Sequence, residues 1–367
     1  MTQAAGDGMN WAPTSDLPQA VVQPGEFVFA SAFFDHGHIF GQTNGLREAG
    51  GTLKWAWDPE PVRLKDFCEK YPEAQPAESY QQILDDPEVQ LVTAAAVPCD
   101  RGPLGIEAMN HGKDYLTDKC PFTTLAQLAE ARAAVERTGK KFLVDYSEFT
   151  HVECAWYAWE LIQQGALGEI VHMAISGPHR LNKPKRPEWF FQKAQYGGIL
   201  TDIASHQFYQ FLMYADADEG SVNFARVDNF ANADQPELED FGEASLALDG
   251  KEGRPGASAY SRVDWFTPDG QRGWGDGRTF IVGTKGVLEI RKYFDVGRGD
   301  SSRIFLTDGT SEQEIDVNGK VGYPFYGRLI LDCLNRTENA MTQHRAFKAA
   351  ELSMLAQQIA EGGRSSG

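Results

Sequence analysis

The stretch that decides the fold reads VQLVTAAAV, from Val89 to Val97. Only Gln90 and Thr93 are polar in it, so it is typical of a strand that is buried on both faces of a parallel sheet. A helix-like segment, Gly102–Asn110, follows, and a second apolar run comes at Tyr115–Thr117. A strand, a helix and another strand in this order predict a parallel βαβ unit.

The same alternation continues on both sides of this unit. The other runs predicted to be strands are Phe27–Phe34, Thr52–Trp57 and Phe142–Val144, and the other predicted helices are Pro61–Tyr71 and Thr124–Thr138. The last helix is the clearest, because Thr124 and Gln127 form a capping box and Gly139 follows its end. The pattern predicts an α/β domain of the Rossmann type, a doubly wound parallel sheet covered by helices.

The pattern changes after Tyr146. A helix over Glu153–Gln164 precedes a series of strand-like segments, and turn signals such as Asp249-Gly250 and Asp308-Gly309 separate several of them. The predicted strands are Ile170–Gly177, Asn223–Asn232, Ala244–Leu248, Ser258–Asp264, Thr279–Val282, Val287–Arg291 and Ile304–Leu306. Two helices close the chain. This half is predicted to be an α+β domain built on an open mixed or antiparallel sheet.

The predicted domain boundaries follow from this change of pattern. Residues 1–24 are rich in Ala, Pro, Gln and Gly and are expected to form an N-terminal extension. Residues 25–147 are predicted to form the dinucleotide-binding Rossmann domain. Residues 148–367 are predicted to form the domain that supplies substrate-binding and catalytic groups.

Charge and composition argue against several classes of function. The formal net charge is −18, and an acidic surface repels both nucleic-acid phosphates and anionic lipid. No apolar run approaches the ~20 residues of a membrane-spanning helix, and the first residues lack the pattern of a secretion signal. The five cysteines are scattered without CxxC spacing, which favours a cytoplasmic protein.

The segment after the first predicted strand is where a dinucleotide-binding domain carries its phosphate-binding turn. Glycines in such a turn let main-chain amides approach a pyrophosphate at a helix N-terminus. Here the turn reads FFDHGHIFG from Phe33 to Gly41, which is not GxGxxG. Asp58, at the end of the second strand, can accept hydrogen bonds from an adenosine ribose and predicts NAD rather than NADP.

His36 and His38, with Asp35 beside them, also suggest a metal site, because residues i and i+2 of an extended chain point the same way. A metal-dependent hydrolase of this kind needs further ligands from later strands of an eightfold βα barrel. The second half of the chain lacks βα alternation. We therefore predict no metal site and expect these histidines to contact cofactor or substrate.

Two segments carry candidate catalytic residues. Lys119 follows a short strand, at the end of a parallel sheet where ligands bind, and its charge suits a substrate oxygen. The segment GGILTDIASH, from Gly197 to His206, combines two glycines with a helix predicted to begin near Thr201. Asp202 and His206 are then i and i+4 on one face, and the helix dipole and the carboxylate act oppositely on the imidazole, which suits a general acid/base. In isolation a lysine is most often exposed, and an Asp-x-x-x-His pair is more often a surface pair; the adjoining glycines and Lys119 favour the catalytic interpretation here.

Four segments resemble, in order, motifs of the glucose–fructose oxidoreductase and inositol dehydrogenase (Gfo/Idh/MocA) family. They are Tyr80–Val89, Ala95–Pro98, His111–Lys119 and Gly197–His206. The resemblance extends from about Glu26 to Ala360. It implies a Rossmann domain joined to an open-sheet domain, and NAD(P)-linked oxidation or reduction of a CH–OH group in a sugar, glycoside or cyclitol.

By position, the roles known for the family fall on residues of these segments. The resemblance implies that His206 exchanges a proton with the substrate hydroxyl, that Lys119 binds this hydroxyl and the cofactor, and that Asp202 orients substrate or histidine. The candidate cofactor contacts are Phe34, Asp35, His36, His38, Ile39, Asp58, Val97, Pro98, Asp118 and Lys119. Aromatic rings beside cationic donors suit a polyhydroxylated ligand. The candidate substrate contacts are Tyr146, His179, Arg180, Arg186 and Trp189.

The sequence departs from the family at the phosphate-binding loop, where Phe33, Asp35 and His38 stand in place of glycines. Either the cofactor binds differently, or the redox function has been altered or lost. Two alternatives follow: a redox-neutral sugar hydrolase or lyase on the same scaffold, and a cofactor-free sugar-binding or regulatory protein. By analogy with the family we expect a homodimer or homotetramer with a small carbohydrate or polyol as its ligand.

Overall fold

The computed structural model describes residues 8–17, 19–251 and 253–364. These residues group into two compact units. The N-terminal unit consists of Met9–Asp145 and Gly322–Gln343, and the C-terminal unit consists mainly of residues 146–321 and 344–364. Along the chain, the first unit gives way to the second between Asp145 and Tyr146, close to the predicted boundary.

A parallel sheet is the framework of the N-terminal unit. Over the described residues it has six strands in the order β3-β2-β1-β4-β5-β6, and all neighbouring strands are parallel. The strands are β1 (Val28–Ala32), β2 (Thr52–Trp57), β3 (Gln75–Pro76), β4 (Leu91–Ala94), β5 (Asp114–Asp118) and β6 (Phe142–Asp145). The helices between them are α1 (His38–Glu48), α2 (Pro61–Lys70), α3 (Tyr80–Asp85), α4 (Pro98–Asn110) and α5 (Leu125–Thr138). The predicted Rossmann-type sheet is confirmed.

Local signals account for the ends of these elements. The Thr124 hydroxyl accepts a hydrogen bond from the Gln127 amide at 3.2 Å, so the predicted cap of α5 is confirmed. β1 ends at Ala32, before the predicted Phe34, because Phe33 has a φ of 56°, outside the extended region. α4 begins at Pro98, earlier than predicted, because the fixed φ of proline suits the first position of a helix.

A mixed sheet is the framework of the C-terminal unit. In the part of the chain that the structure describes, eight strands lie in the order β16-β15-β12-β11-β7-β10-β9-β8, with β7 and β10 parallel and the other neighbours antiparallel. They are β7 (Ile170–Pro178), β8 (Gly220–Asp228), β9 (Phe241–Leu248), β10 (Ser258–Asp264), β11 (Arg278–Gly283), β12 (Gly286–Arg291), β15 (Arg303–Asp308) and β16 (Glu312–Asp316). β13 (Phe294–Asp295) and β14 (Gly299–Asp300) form a separate pair. The predicted mixed sheet is confirmed.

The helices of this unit lie mainly before β8. They are α6 (Ser147–Thr150), α7 (Glu153–Gln163), α8 (Lys193–Tyr196), α9 (Ile199–Asp202) and α10 (Ala204–Ala215). β8 lies earlier in the chain than the predicted strand over Asn223–Asn232. The reason is the Asp240 carboxylate, which accepts hydrogen bonds from the amides of Phe230 and Ala231, both at 2.8 Å, and so holds this segment in a turn.

The helix α11 (Pro324–Asn335) lies in the N-terminal unit, whereas the last helix, α12 (Gln343–Arg364), begins where the chain re-enters the C-terminal unit. The Tyr326 ring packs so closely on Gly45 of α1 that a Cβ there would have no room. Arg336, just after α11, forms an ion pair with Asp114 at 2.6 Å. Residues 322–343, which the sequence assigned to the second domain, therefore pack with the first. Among the described helices, none has the length and apolar character needed to cross a membrane.

Candidate functional site

The carboxyl ends of β1, β4 and β5 lie side by side, because these strands are adjacent and parallel. The loop after β1 is hydrogen-bonded to the loop after β4. The His36 amide donates to the Ala95 carbonyl at 2.9 Å, and the Ala95 amide donates to the Phe33 carbonyl at 3.0 Å. This edge of the sheet brings together most of the residues that the sequence analysis named as cofactor contacts.

His36, His38 and Asp118 form a buried cluster at this edge, here called the His–His–Asp cluster. Nδ1 of His38 lies 2.8 Å from Oδ1 of Asp118, and Nδ1 of His36 lies 3.3 Å from Oδ2. The Arg101 guanidinium lies 3.1 Å from the same Oδ2. The sequence analysis named all three members of the cluster but did not group Asp118 with the histidines, because 80 residues separate it from His38.

Charge and burial act in opposite directions in this cluster. Burial alone raises the pKa of Asp118, but the charges of His38 and Arg101 outweigh it and hold this pKa well below its usual range. Burial, assisted by the neighbouring His38, lowers the pKa of His36 well below that of a free histidine. Asp118 is therefore a carboxylate at neutral pH, and His36 is a neutral imidazole.

Most main-chain amides of the loop after β1 are engaged within the chain. Phe34 donates to Oδ2 of Asp58 at 2.6 Å, His38 donates to Nδ1 of His36 at 3.3 Å, and Ile39 donates to the His36 carbonyl at 3.2 Å. The loop therefore does not fit a pyrophosphate that is held by main-chain amides, as GxGxxG loops hold it. A dinucleotide at this loop would have to be held by side chains.

Asp58 is directed into its own chain as well. Its carboxylate accepts hydrogen bonds from the Glu60 amide at 2.7 Å and from Nε of Arg63 at 2.9 Å, in addition to the Phe34 amide. Asp58 is only 4% exposed. These three donors occupy most of the acceptor capacity of one carboxylate, so little remains for a ribose diol.

The 3-10 turn Gly8–Asn10 contributes a covering segment to this loop. A Cβ placed on Gly37 would lie 2.5 Å from Oδ1 of Asn10 and 2.6 Å from the Met9 carbonyl oxygen. The φ of Gly37 is −63°, which any residue can adopt. Glycine is therefore required at this position by the close approach of Met9 and Asn10 and not by the backbone conformation. Sequence analysis gave no sign of this contact, since residues 1–24 carry no recognisable motif.

Three of the other predicted cofactor contacts pack within the N-terminal unit. The Phe34 ring stacks on Phe67 with the ring centroids 4.2 Å apart, and Ile39 is fully buried. Asp35 lies 3.1 Å from the Arg63 guanidinium, and burial raises the pKa of this carboxyl group. These side chains stabilise the loop.

The remaining predicted contacts lie at the ends of β4 and β5. Val97 precedes α4 and Pro98 opens it. Lys119 directly follows β5 and is 4% exposed, and its carbonyl oxygen accepts a hydrogen bond from Arg101. Lys119 therefore has the position at a strand end that the sequence predicted.

In the C-terminal unit, His206 lies in the first turn of α10 and is 1% exposed. Asp202 is the last residue of α9, and Ile203 interrupts the helix between them. The single helix predicted from Thr201 is therefore wrong, because the chain forms two short helices. The Tyr146 ring packs edge-on to the His206 ring at 6.4 Å and stacks on Tyr209 at 4.6 Å.

A buried polar network lies in the same unit. Oε2 of Glu148 accepts hydrogen bonds from Nζ of Lys292 and from the Gln207 side chain, both at 3.0 Å. Lys292 also donates to the side-chain oxygen of Gln210 at 2.8 Å, and Nε2 of Gln210 donates to the main-chain carbonyl of His206 at 3.0 Å. Sequence analysis missed Glu148 and Lys292, because 144 residues separate them and neither belongs to a motif. The network offers fixed donors and acceptors beside the His206 helix.

His179 lies next to this network. Its Nε2 lies 3.8 Å from Oε1 of Glu148, and its ring lies 4.5 Å from the Trp274 ring. Gly8 leaves room for the same two rings, since a Cβ on it would lie 2.9 Å from His179. Trp274, like Glu148 and Lys292, is a residue that the sequence did not indicate.

The other candidate substrate contacts hold loops. The Arg180 guanidinium donates to the carbonyl oxygens of Pro268 and Gly273 at 3.2 and 3.1 Å. Arg186 donates to the Leu181 carbonyl at 2.7 Å and stacks over Phe190. Trp189 is half-buried beside Phe190, with the ring centroids 5.8 Å apart. In this structure the contacts of both arginines are with their own chain.

Two family models match the chain. Residues 34–146 match the oxidoreductase family with an NAD-binding Rossmann fold, and residues 156–289 match the Gfo/Idh/MocA C-terminal domain. Together the two matches cover most of the chain and agree with the two sheets.

Solved structures extend the similarity. The chain is 41% identical to a protein from Erwinia carotovora atroseptica described as an oxidoreductase, over 91% of this chain and 99% of that one, with a TM-score of 0.87. It shares the fold of an aldose-aldose oxidoreductase from Caulobacter crescentus, with a TM-score of 0.75 and 19% identity over 92% and 98% of the two chains.

The curated relatives match a smaller part of the chain. An uncharacterised oxidoreductase from Synechocystis is 27% identical over 148 residues, which is 40% of this chain and 40% of that protein. The chain therefore aligns with well under half the length of the curated relatives it matches.

Proposed function

This chain belongs to the Gfo/Idh/MocA oxidoreductase family, and on that premise we propose that it oxidises or reduces a CH–OH group of a sugar, glycoside or cyclitol with NAD(H). The observation that carries the proposal is the buried His206, whose main-chain carbonyl is joined through Gln210 to the buried pair of Glu148 and Lys292. A polyhydroxylated ligand requires fixed donors and acceptors together with an acid/base group.

We assign the roles residue by residue. His206 takes the proton from the substrate hydroxyl in oxidation and returns it in reduction. Lys119 binds the reacting oxygen and stabilises the negative charge that develops on it. Asp202 orients the substrate or the imidazole. NAD, when bound, supplies the hydride acceptor or donor.

The cofactor assignment is NAD rather than NADP, with the side chains of the loop after β1 as contacts. Since the loop amides and Asp58 are engaged within the chain, the proposal requires that side chains such as His36, His38 and Lys119 contact the dinucleotide. The Lys119 ammonium and an imidazole N–H can each donate to a phosphate oxygen in place of main-chain amides.

A second candidate function is favoured by the same loop. A chain whose pyrophosphate-binding amides are already bonded could bind carbohydrate without a freely exchanging dinucleotide. It would then act as a redox-neutral sugar hydrolase or lyase, or as a sugar-binding or regulatory protein. The engaged loop amides support this candidate, and the buried His206 supports the first.

Calorimetric titration with NAD⁺ and NADH, followed by a panel of sugars and cyclitols, separates the candidates. The redox proposal expects micromolar to millimolar dinucleotide binding and a change in NADH absorbance with at least one sugar. Absence of dinucleotide binding eliminates it and favours a cofactor-free protein. Tight binding without net turnover favours the redox-neutral enzyme. The exposed-histidine variant His344→Ala controls for general damage to the protein, because this residue is far in sequence from every assigned residue.

We also propose that the chain forms a homo-oligomer through the open face of its mixed sheet. The neighbouring strands β11 and β12 place Phe280, Val282 and Val287 on that face, each at least 39% exposed. Phe224, also exposed, lies on β8 at the far edge of the same sheet. Apolar surface of this kind is typical of a protein–protein contact. Light scattering of wild type and of Phe280→Glu measures the assembly.

A cytoplasmic location stays a prediction from the sequence.

A further inference from the structure

We propose that His36, His38 and Asp118 bind a divalent transition-metal ion of the zinc class. One ligand atom from each residue lies within 4.8 Å of the other two, and all three residues are buried. From the sequence no metal site was predicted, because the second half of the chain lacks the βα pattern of a metal-binding barrel that would supply further ligands. The fold supplies a further ligand from the end of β5.

The spacing within the cluster suits a tetrahedral ion. Zinc–nitrogen and zinc–oxygen bonds of about 2.0–2.2 Å place neighbouring ligand atoms about 3.3 Å apart in a tetrahedron. His36 Nδ1 and Asp118 Oδ2 are 3.3 Å apart, and His38 Nδ1 and Asp118 Oδ1 are 2.8 Å apart. The two distances involve different oxygens of Asp118, and His36 Nδ1 also accepts a hydrogen bond from the His38 amide, so the side chains must move for the ion to bind.

The surroundings of the cluster also resemble those of a metal site. Ligating carboxylates are usually held by a second group that is not itself a ligand. Arg101 lies 3.1 Å from Asp118 Oδ2 and is itself anchored by a 2.7 Å hydrogen bond from its Nε to the Ala96 carbonyl. Neither Asp118 nor Arg101 is exposed, and the histidines are 5–6% exposed.

The net charge of the occupied site indicates which class of ligand would take the remaining position on the ion. One carboxylate neutralises half of a divalent charge, and the guanidinium adds one positive charge, so the occupied site is net positive. Three protein ligands leave one tetrahedral position open. An anion such as hydroxide or a phosphate oxygen is the class of ligand that fits this position.

Without an ion, the same three residues would be held together only by hydrogen bonds and by the ion pair with Arg101. Measurement of metal binding distinguishes the two possibilities. Protein freed of its affinity tag and dialysed against a chelator is titrated with Zn²⁺, and with Co²⁺ as a coloured probe. The proposal expects one equivalent of bound ion and the visible absorption of four-coordinate Co²⁺.

Variants locate the site. His38→Ala and Asp118→Asn are expected to weaken Zn²⁺ binding by about a hundredfold or more, because loss of even an outer partner costs about 10–100-fold. His344→Ala, at an exposed histidine, is the matched control and is expected to bind as wild type does. Circular dichroism identifies any variant that fails to fold, and Asp118→Asn keeps the shape of the side chain.

Two results would overturn the proposal: wild-type protein that binds no stoichiometric Zn²⁺, or binding that persists in a folded His36→Ala/His38→Ala variant. These measurements use neither dinucleotide nor sugar. A negative result therefore leaves the proposed oxidoreductase function standing, and failure of that function leaves the metal site standing.

Discussion

The loop after β1 and the segment before α10 both lie where a glycine-containing turn before a helix was expected to bind a ligand. Only the segment before α10 has glycines at the expected positions. At Gly197 and Gly198 the glycines adopt φ values of 86° and 94°, and the helices that follow carry Asp202 and the buried His206. At the loop, Phe33 takes the positive φ of 56° that glycine adopts readily, and side chains occupy the loop donors.

The comparison shows that a strand, turn and helix can form without the glycines with which such a turn usually binds a pyrophosphate. The backbone path depends on the apolar packing of β1 and α1, which the loop substitutions do not alter. Phosphate binding depends on exposed amides, and most amides of this loop are bonded within the chain. Similarity of fold therefore does not by itself imply a usual dinucleotide site at the loop.

The largest effect on turnover is expected at the two candidate catalytic residues, His206 and Lys119. His206→Asn and Lys119→Ala should each lower turnover by ~10²–10⁴, the usual scale for removal of an acid/base or oxygen-binding group. Steady-state kinetics on the best sugar of the panel measures this. Wild-type turnover in either variant would remove that residue from the mechanism, and His344→Ala should retain full activity.

The next effect tests the network beside His206. Lys292→Met leaves the Glu148 carboxylate buried without its ammonium partner, which should lower the free energy of unfolding by about 3–5 kcal/mol. Denaturant unfolding of the variant measures the loss. The double variant Glu148→Gln/Lys292→Met should recover part of it, and a double variant as unstable as the single one would contradict the assigned ion pair.

A smaller effect is expected at Asp58 in the loop region. Asp58→Ala removes the acceptor of two amides and of Arg63, so the free energy of unfolding should fall by about 1–3 kcal/mol. The ratio of NAD⁺ to NADP⁺ affinity, measured on the same variant, tests the second role. A relaxed ratio assigns the ribose to Asp58, and an unchanged ratio places the ribose elsewhere.

The smallest effect concerns the covering segment on Gly37. Removal of residues 1–10 takes away the Met9 and Asn10 contacts, and should raise NAD⁺ affinity about tenfold if the uncovered loop is about a tenth of the population. Titration of both chains measures the difference. Equal affinities would show that this segment does not compete with the dinucleotide.

The order of strands and helices was predictable because hydrophobic periodicity and caps act over a few neighbouring residues. The strand Ser258–Asp264 and the cap at Thr124 needed no distant information. The end of β8 could not be predicted, because Asp240 acts on Phe230 from ten residues away.

Sequence alone determined the two-sheet architecture, the family and the position of Lys119 and His206 at the ends of elements. Tertiary structure alone decided which side chains meet: Asp118 with the two histidines, Glu148 with Lys292, and Tyr326 with Gly45. The physical reason is range. Backbone periodicity is local, whereas an ion pair or a close contact between distant residues exists only once the chain has folded and leaves no pattern along it.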